Sequence, residues 1–163
     1  KALGGGILPI AAVLAKPELD VAADYALGHY THEKNPVTSQ AALTTIDIIE
    51  DENLVENAAE LGDYALKCLN QLKAVHPVIG DVRGRGFLIG VELVQERKSK
   101  TPATDLAEDV FYRCLDKGLS FKVTMGNVLT LTPPLILSRE QMNFALEAID
   151  ASLGEAEEAF GLS

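Results

Sequence analysis

The sequence predicts an α/β fold, and three observations carry that prediction. Two long stretches between residues 38 and 75 repeat apolar residues at helical spacing. The run Phe87-Leu-Ile-Gly-Val-Glu-Leu-Val94 is too short for a helix of that kind and reads as a strand buried on most of both faces. The remaining residues alternate again between helical periodicity and short strand-like runs.

The elements follow in order. The glycine triplet Gly4-Gly5-Gly6 does not hold a helix, and Ile7, Leu8, Ile10, Val13 and Leu14 after it predict a loop leading into a buried strand. Past Lys16-Pro17 a short helical stretch is expected, followed by a polar loop from Gly28 to Pro36. Ala42, Ile46 and Ile49 mark a helix over residues 38–50. A second helix starts at Asn53, with Glu56 placed as in a capping box, and Leu54, Ala58, Leu61, Ala65, Leu69 and Leu72 trace its face until His76-Pro77 stops it. After the strand near Val91, residues 96–100 form a charged turn. Residues 104–117 form a helix with Ala107, Val110, Phe111 and Cys114 on one side and Gly118 as its C-terminal cap. Residues 121–123 and 128–131 are short strands, ended by Pro133-Pro134. Ser138 and Gln141 cap a last helix carrying Met142, Leu146, Ile149 and Leu153, and the acidic tail from Glu155 is expected to fray. A boundary is placed between residues 1–52 and 53–163.

Composition excludes several classes. Fourteen Lys and Arg against 24 Asp and Glu give a net charge of −10, with the basic residues scattered, so no stripe is available to neutralise a nucleic-acid backbone. No apolar run approaches the roughly 20 residues that span a bilayer. Cys68 and Cys114 are expected as partly buried reduced thiols of a cytoplasmic protein. His29 and His32 lack a third partner, and no metal site is expected. Nothing in the spacing brings Asp81 and Glu92 together as an acid–base pair.

The candidate chemistry lies at the start of the chain. Lys1 before Ala-Leu-Gly-Gly-Gly admits two functional readings besides a plain glycine turn. The glycines could expose N–H groups to a phosphate, or the lysine amine could form a Schiff base on a segment that lets it swing. A chain opening on Lys rather than Met is also expected to be a fragment or a processed product.

Four motifs in order decide between these readings. Lys1-Ala-Leu-Gly-Gly-Gly-Ile-Leu-Pro-Ile-Ala-Ala-Val, then Thr31…Asn35-Pro36, then Ile79-Gly-Asp-Val-Arg-Gly-Arg-Gly-Phe-Leu-Ile-Gly-Val-Glu-Leu, then Gly126-Asn-Val-Leu-Thr-Leu-Thr-Pro-Pro-Leu135 resemble the C-terminal portion of class III aminotransferases, the fold type I enzymes dependent on pyridoxal phosphate. The resemblance covers nearly the whole chain and about the last third of such an enzyme. It implies the end of the large cofactor domain with its connecting helix over residues 1–52, and the small C-terminal α/β domain over residues 53–163.

The resemblance also implies roles. Lys1 would hold pyridoxal 5'-phosphate as a Schiff base and, once displaced by a substrate amine, act as a base, for which its amine must be neutral. Thr31 would reach the cofactor phosphate of the neighbouring subunit, which makes the expected assembly a homodimer with shared active sites. Here the chain reads Thr-His-Glu-Lys-Asn-Pro where the family commonly has Thr-Phe-Gly-Gly-Asn-Pro. A second departure lies at Thr130, on the strand where many relatives carry an arginine that grips a substrate carboxylate. A threonine is no anion clamp of that kind.

The leading expectation is amino transfer between a small-molecule amine or amino acid and a keto or aldehyde acceptor. The runner-up, motivated by Thr130, is a racemase, epimerase or lyase of the same fold. A non-catalytic binding module is the third, because the family's ring-stacking aromatic, its aspartate for the pyridine nitrogen and its main phosphate loop would lie upstream of Lys1. Arg83-Gly-Arg85-Gly is expected to mark a closely packed turn whose arginines tie the two substructures.

Overall fold

The computed structural model describes residues 2–22, 24, 25, 28, 31, 32 and 35–162. Lys1 and His29 lie outside the described residues. The chain divides into two compact units, residues 1–53 and 54–163.

In the first unit a 3₁₀ turn at Ala2–Gly4 packs on helix α1, Pro36–Asp51, and a second 3₁₀ turn spans Pro17–Leu19. Helix α1 starts earlier than its apolar spacing predicts, because Asn35 caps it. The Asn35 Oδ1 accepts from the backbone N–H of Val37 at 2.9 Å and of Thr38 at 3.5 Å, and Pro36 occupies the first turn, where its missing N–H costs nothing. The predicted strand at residues 7–14 does not form. Ile7, Val13 and Leu14 are exposed, and the described residues of this unit contain no second strand with which a ladder could be built.

The second unit is a sheet with helices on one side. Its elements are α2 (Leu54–Val75), β1 (Ile79–Arg85), β2 (Leu88–Glu96), the two-residue β3 (Thr101–Pro102), α3 (Thr104–Asp116), β4 (Lys122–Thr124), β5 (Val128–Leu131) and α4 (Arg139–Ala159). The strands are ordered β1-β2-β5-β4 with β3 on β2, and every pairing is antiparallel. Neither β1 nor β3 carries a strand signal in its sequence. Four of the seven residues of β1 are glycine or arginine, so it lacks the apolar alternation that announces a strand.

Side-chain alternation gives the sheet two faces. Ile89, Val91 and Leu93 of β2 and Leu129 and Leu131 of β5 point to the core. They meet Leu61, Ala65 and Leu69 of α2, Ala107, Val110 and Cys114 of α3, and Met142, Leu146, Ile149 and Leu153 of α4. The intervening positions, among them Arg83, Gly90, Glu92, Lys122 and Thr130, share the opposite face.

Three local devices hold the helices in place. Helix α4 starts at the capping box read from the sequence, with Ser138 and Gln141 each bonding the other's backbone. Helix α3 ends in a Schellman motif, in which Leu119 N–H bonds Cys114 C=O at 2.8 Å, Gly118 N–H bonds Leu115 C=O at 2.9 Å, and Gly118 takes φ +87°. At the β1–β2 turn, Gly62 of α2 packs so closely on Gly86 that a Cβ at residue 62 would overlap the Gly86 carbonyl. The predicted capping box at Asn53 is absent. Asn53 has φ +51°, whereas an N-cap needs extended backbone.

Two further expectations change. The acidic tail does not fray at Glu155: α4 runs to Ala159, and Glu157 is buried against His76, whose Nδ1 lies 2.7 Å from its Oε2. Asp81 and Glu92 are register partners on β1 and β2, and Arg83 bonds both carboxylates, at 2.9 and 2.6 Å, so within this unit the arginine ties strand to strand. Cys68 and Cys114 are free thiols, half-buried and buried. Among the described residues, no helix is long and apolar enough to cross a membrane.

Candidate active site

The glycine triplet after Lys1 forms a tight turn. Gly5 N–H bonds Ala2 C=O at 2.9 Å and Leu8 N–H bonds Gly4 C=O at 3.2 Å, while Gly5 and Gly6 take φ +71° and +78°. Two successive left-handed residues are costly for any side chain with a Cβ, which explains the glycines. Gly4 is buried, and a Cβ there would sit 3.2 Å from Ile10 Cγ2, so the turn is packed as well as bent. The segment that follows Lys1 is therefore anchored. Lys1 itself is outside the described residues.

Thr31 lies in the turn at residues 31–32 and is exposed. Asn35 N–H bonds His32 C=O at 3.2 Å, so this turn runs directly into the Asn35 cap of α1. The Asn-Pro pair thus has a structural task, since it starts the helix just after the threonine. An exposed hydroxyl such as that of Thr31 can donate to a phosphate oxygen without adding charge.

Thr130 occupies the third position of β5, between Gly90 of β2 and Lys122 of β4 in register. Its Oγ1 is 2.7 Å from Thr124 Oγ1 on β4, and both side chains are half-buried. Two hydroxyls bonded to each other use one O–H internally and leave one to donate outward. Thr124 and Lys122 went unread as neighbours of Thr130 in the sequence. The signal was the short β4–β5 hairpin, whose loop holds Met125 at φ +53° and Gly126 at φ +80° and so sets the register that joins them.

Nearby, Arg83, Asp81, Glu92 and Lys73 form a closed charge network on β1, β2 and the end of α2. The Arg83 guanidinium holds the Asp81 carboxyl below its ordinary range, and the two carboxylates push Arg83 up. Lys1 and Thr31 belong to the first unit and Thr130 to the second, and the two that are described stand each within its own unit. Among the described residues no cluster of His, Cys, Asp and Glu has metal-binding geometry.

Comparison with known proteins identifies the family. The family model of class-III aminotransferases matches residues 1–153. The chain is 48% identical, over 155 residues, to a (R)-1-hydroxy-2-aminoethylphosphonate ammonia-lyase of Vibrio splendidus, covering 95% of this chain and 32% of that protein. It is 42% identical to a leucine/methionine racemase of Thermococcus litoralis, covering 97% of this chain and 35% of the other. Among solved structures, the ω-transaminase of Pseudomonas jessenii in complex with PMP superposes with TM-score 0.77 at 32% identity, covering 85% of this chain and 31% of that one. The chain spans about a third of the length of the curated relatives it matches. It belongs to the class-III aminotransferase family, and its α/β fold is that of a C-terminal portion of the fold type I transferases.

Proposed function

We propose that the complete protein is a pyridoxal-phosphate enzyme acting on the aminated carbon of a small amine or amino acid, and that the reaction is elimination or racemisation there. Residues 1–52 are read as the end of its large domain and residues 53–163 as its small domain. In this reading Lys1 holds the cofactor, is released when the substrate amine takes its place, and then carries a proton to or from the substrate carbon. Thr31 donates to the cofactor phosphate across the interface of a homodimer. When bound, the cofactor supplies the conjugated ring that accepts negative charge from the substrate carbon.

The observation that carries the choice of reaction is Thr130. Transamination passes two substrates through one site, and an acceptor that is a keto acid brings a second carboxylate to be bound in the second half. Arginine binds it with a planar two-pronged fork, and the Thr124–Thr130 pair offers one hydroxyl instead. A lyase or racemase needs a single substrate and no acceptor. The named activities of the lyase and the racemase among the relatives are in line with this. Amino transfer is the second reading, favoured by the likeness to a transaminase structure.

A single turnover without keto acid separates the two. Elimination or racemisation returns the starting cofactor absorbance with Lys1 reattached. Transfer instead leaves the amino group on the cofactor and releases one equivalent of keto product, an outcome that would overturn the first reading.

A further inference from the structure

Helix α3 presents two stripes. Leu106, Ala107, Val110 and Cys114 enter the core, and beside them Asp105, Glu108 and Tyr112 recur at intervals of three and four residues on an exposed face. This second stripe forms one wall of a groove of about 490 Å³, and the edge strand β4 with Phe121 before it forms the other. The β4–β5 hairpin closes one end, where a Cβ at Gly126 would lie 3.2 Å from Thr104 Cγ2 at the start of α3. Every residue of the groove belongs to the second unit.

The groove is aromatic inside and acidic at its rim. Phe121 packs on the core, the half-buried Phe111 ring meets it edge to face at 5.6 Å, and the exposed Tyr112 ring meets Phe111 at 5.2 Å. Asp105 accepts a 3.4 Å bond from the Thr104 hydroxyl, and Glu108 has neither a hydrogen bond nor an ion pair among the described residues. The cations of α3 are engaged elsewhere, Arg113 with Asp109 and Glu155 and Lys117 with Glu155. Lys122 lines the groove from β4 without an ion pair to either carboxylate, so two carboxylates face one ammonium and one negative charge is in excess. Asp105 lies in the first turn of α3, where a carboxylate suits the helix dipole whatever the groove holds, whereas Glu108, a turn further on, has no such task.

We infer that this groove binds a small organic ammonium ion with an aromatic or branched apolar body, its charged nitrogen beside Glu108 and Tyr112 and its body against Phe111 and Phe121. Aromatic rings attract a cation through their quadrupole and bury an apolar body, and a carboxylate at the rim adds the opposite charge. A groove of this volume is within the range of small-molecule sites. The two carboxylates repel an anion, and a neutral hydrocarbon gains nothing from them. A metal ion needs lone-pair donors that phenyl rings do not supply. The inference uses neither Lys1, Thr31 nor Thr130, and it stands independently of the proposed function.

Phenethyltrimethylammonium tests the groove without turnover, because a quaternary nitrogen cannot condense with an aldehyde. Followed by ligand-observed NMR titration into the complete cofactor-loaded protein, it is expected to bind about tenfold more tightly than 3-phenylpropionate, which carries a similar ring with the opposite charge. Tyr112→Ala and Glu108→Gln, both at exposed positions outside the core, should each weaken the probe about threefold to tenfold while leaving the melting temperature in place. Lys122→Met removes the repelling charge and should tighten it. No binding of the probe, equal binding of 3-phenylpropionate, unchanged affinity in either Tyr112→Ala or Glu108→Gln, or weaker binding in Lys122→Met overturns the inference.

Discussion

His76 sits at the foot of α2 with both ring nitrogens on carboxylates, Nδ1 2.7 Å from Glu157 and Nε2 2.8 Å from Asp150. Burial pulls the imidazole's pKa down, but the two carboxylates together outweigh it and hold the pKa above the ordinary value. A group raised in this way stabilises fully below the unfolded pKa of about 6.5, and the contribution is lost as pH rises through the higher folded-state value. Hydrogen exchange at the C-terminal turns of α4, corrected for intrinsic rates, should therefore show protection falling above about pH 6.5. His76→Gln should remove that pH dependence; unchanged pH dependence in the variant would show that His76 is not its source. His76→Ala leaves the Glu157 carboxylate buried without its partner and should cost about 3 kcal/mol. From the sequence this histidine is only a helix stop and residue 157 only part of a charged tail, since nothing local connects positions 81 residues apart.

Among elements, the glycines of α2 and α4 look alike in sequence and differ in surroundings. A methyl at Gly62 would run into the Gly86 backbone, which cannot rotate away, whereas nothing lies within 4 Å of the Cβ position at Gly154. Gly62→Ala should thus lower the melting temperature, at a cost of about 1–3 kcal/mol, while Gly154→Ala should raise it by about 0.5–1 kcal/mol of helix propensity. A melting series showing both variants shifted in the same direction would refute the packing argument. Ser138→Ala, which removes one half of the capping box, should cost about 1 kcal/mol. Where an element carries its own chemistry, the sequence suffices to place it: the Ser138–Gln141 box, the Gly118 cap and the 3.6-residue stripes of α2, α3 and α4 are all local signals. Strand β1 and the segment at residues 7–14 fail in opposite directions for one reason. A strand depends on its partner, so glycine and arginine form one beside β2 while a run of Ile, Leu and Val without a neighbouring strand does not.

For the whole molecule, the candidate residues fall in both compact units, with Thr31 in the first and Thr130 in the second. The family was legible because four motifs keep their order along the chain, and the model of class-III aminotransferases matches residues 1–153. At residue 130 only a missing arginine was legible; that Lys122 and Thr124 stand beside Thr130 depends on hairpin register. Thr130→Arg tests that position. A restored guanidinium should lower KM for a keto-acid acceptor about tenfold and raise amino transfer. An unchanged KM would place the choice of reaction elsewhere.

The central claim, that the complete protein carries pyridoxal phosphate on Lys1, is tested most directly by borohydride reduction followed by peptide mass analysis. The account predicts a pyridoxyl group on Lys1, lost from a Lys1→Ala protein. A reduced protein with no pyridoxyl group, or with the group on a different lysine, would contradict it.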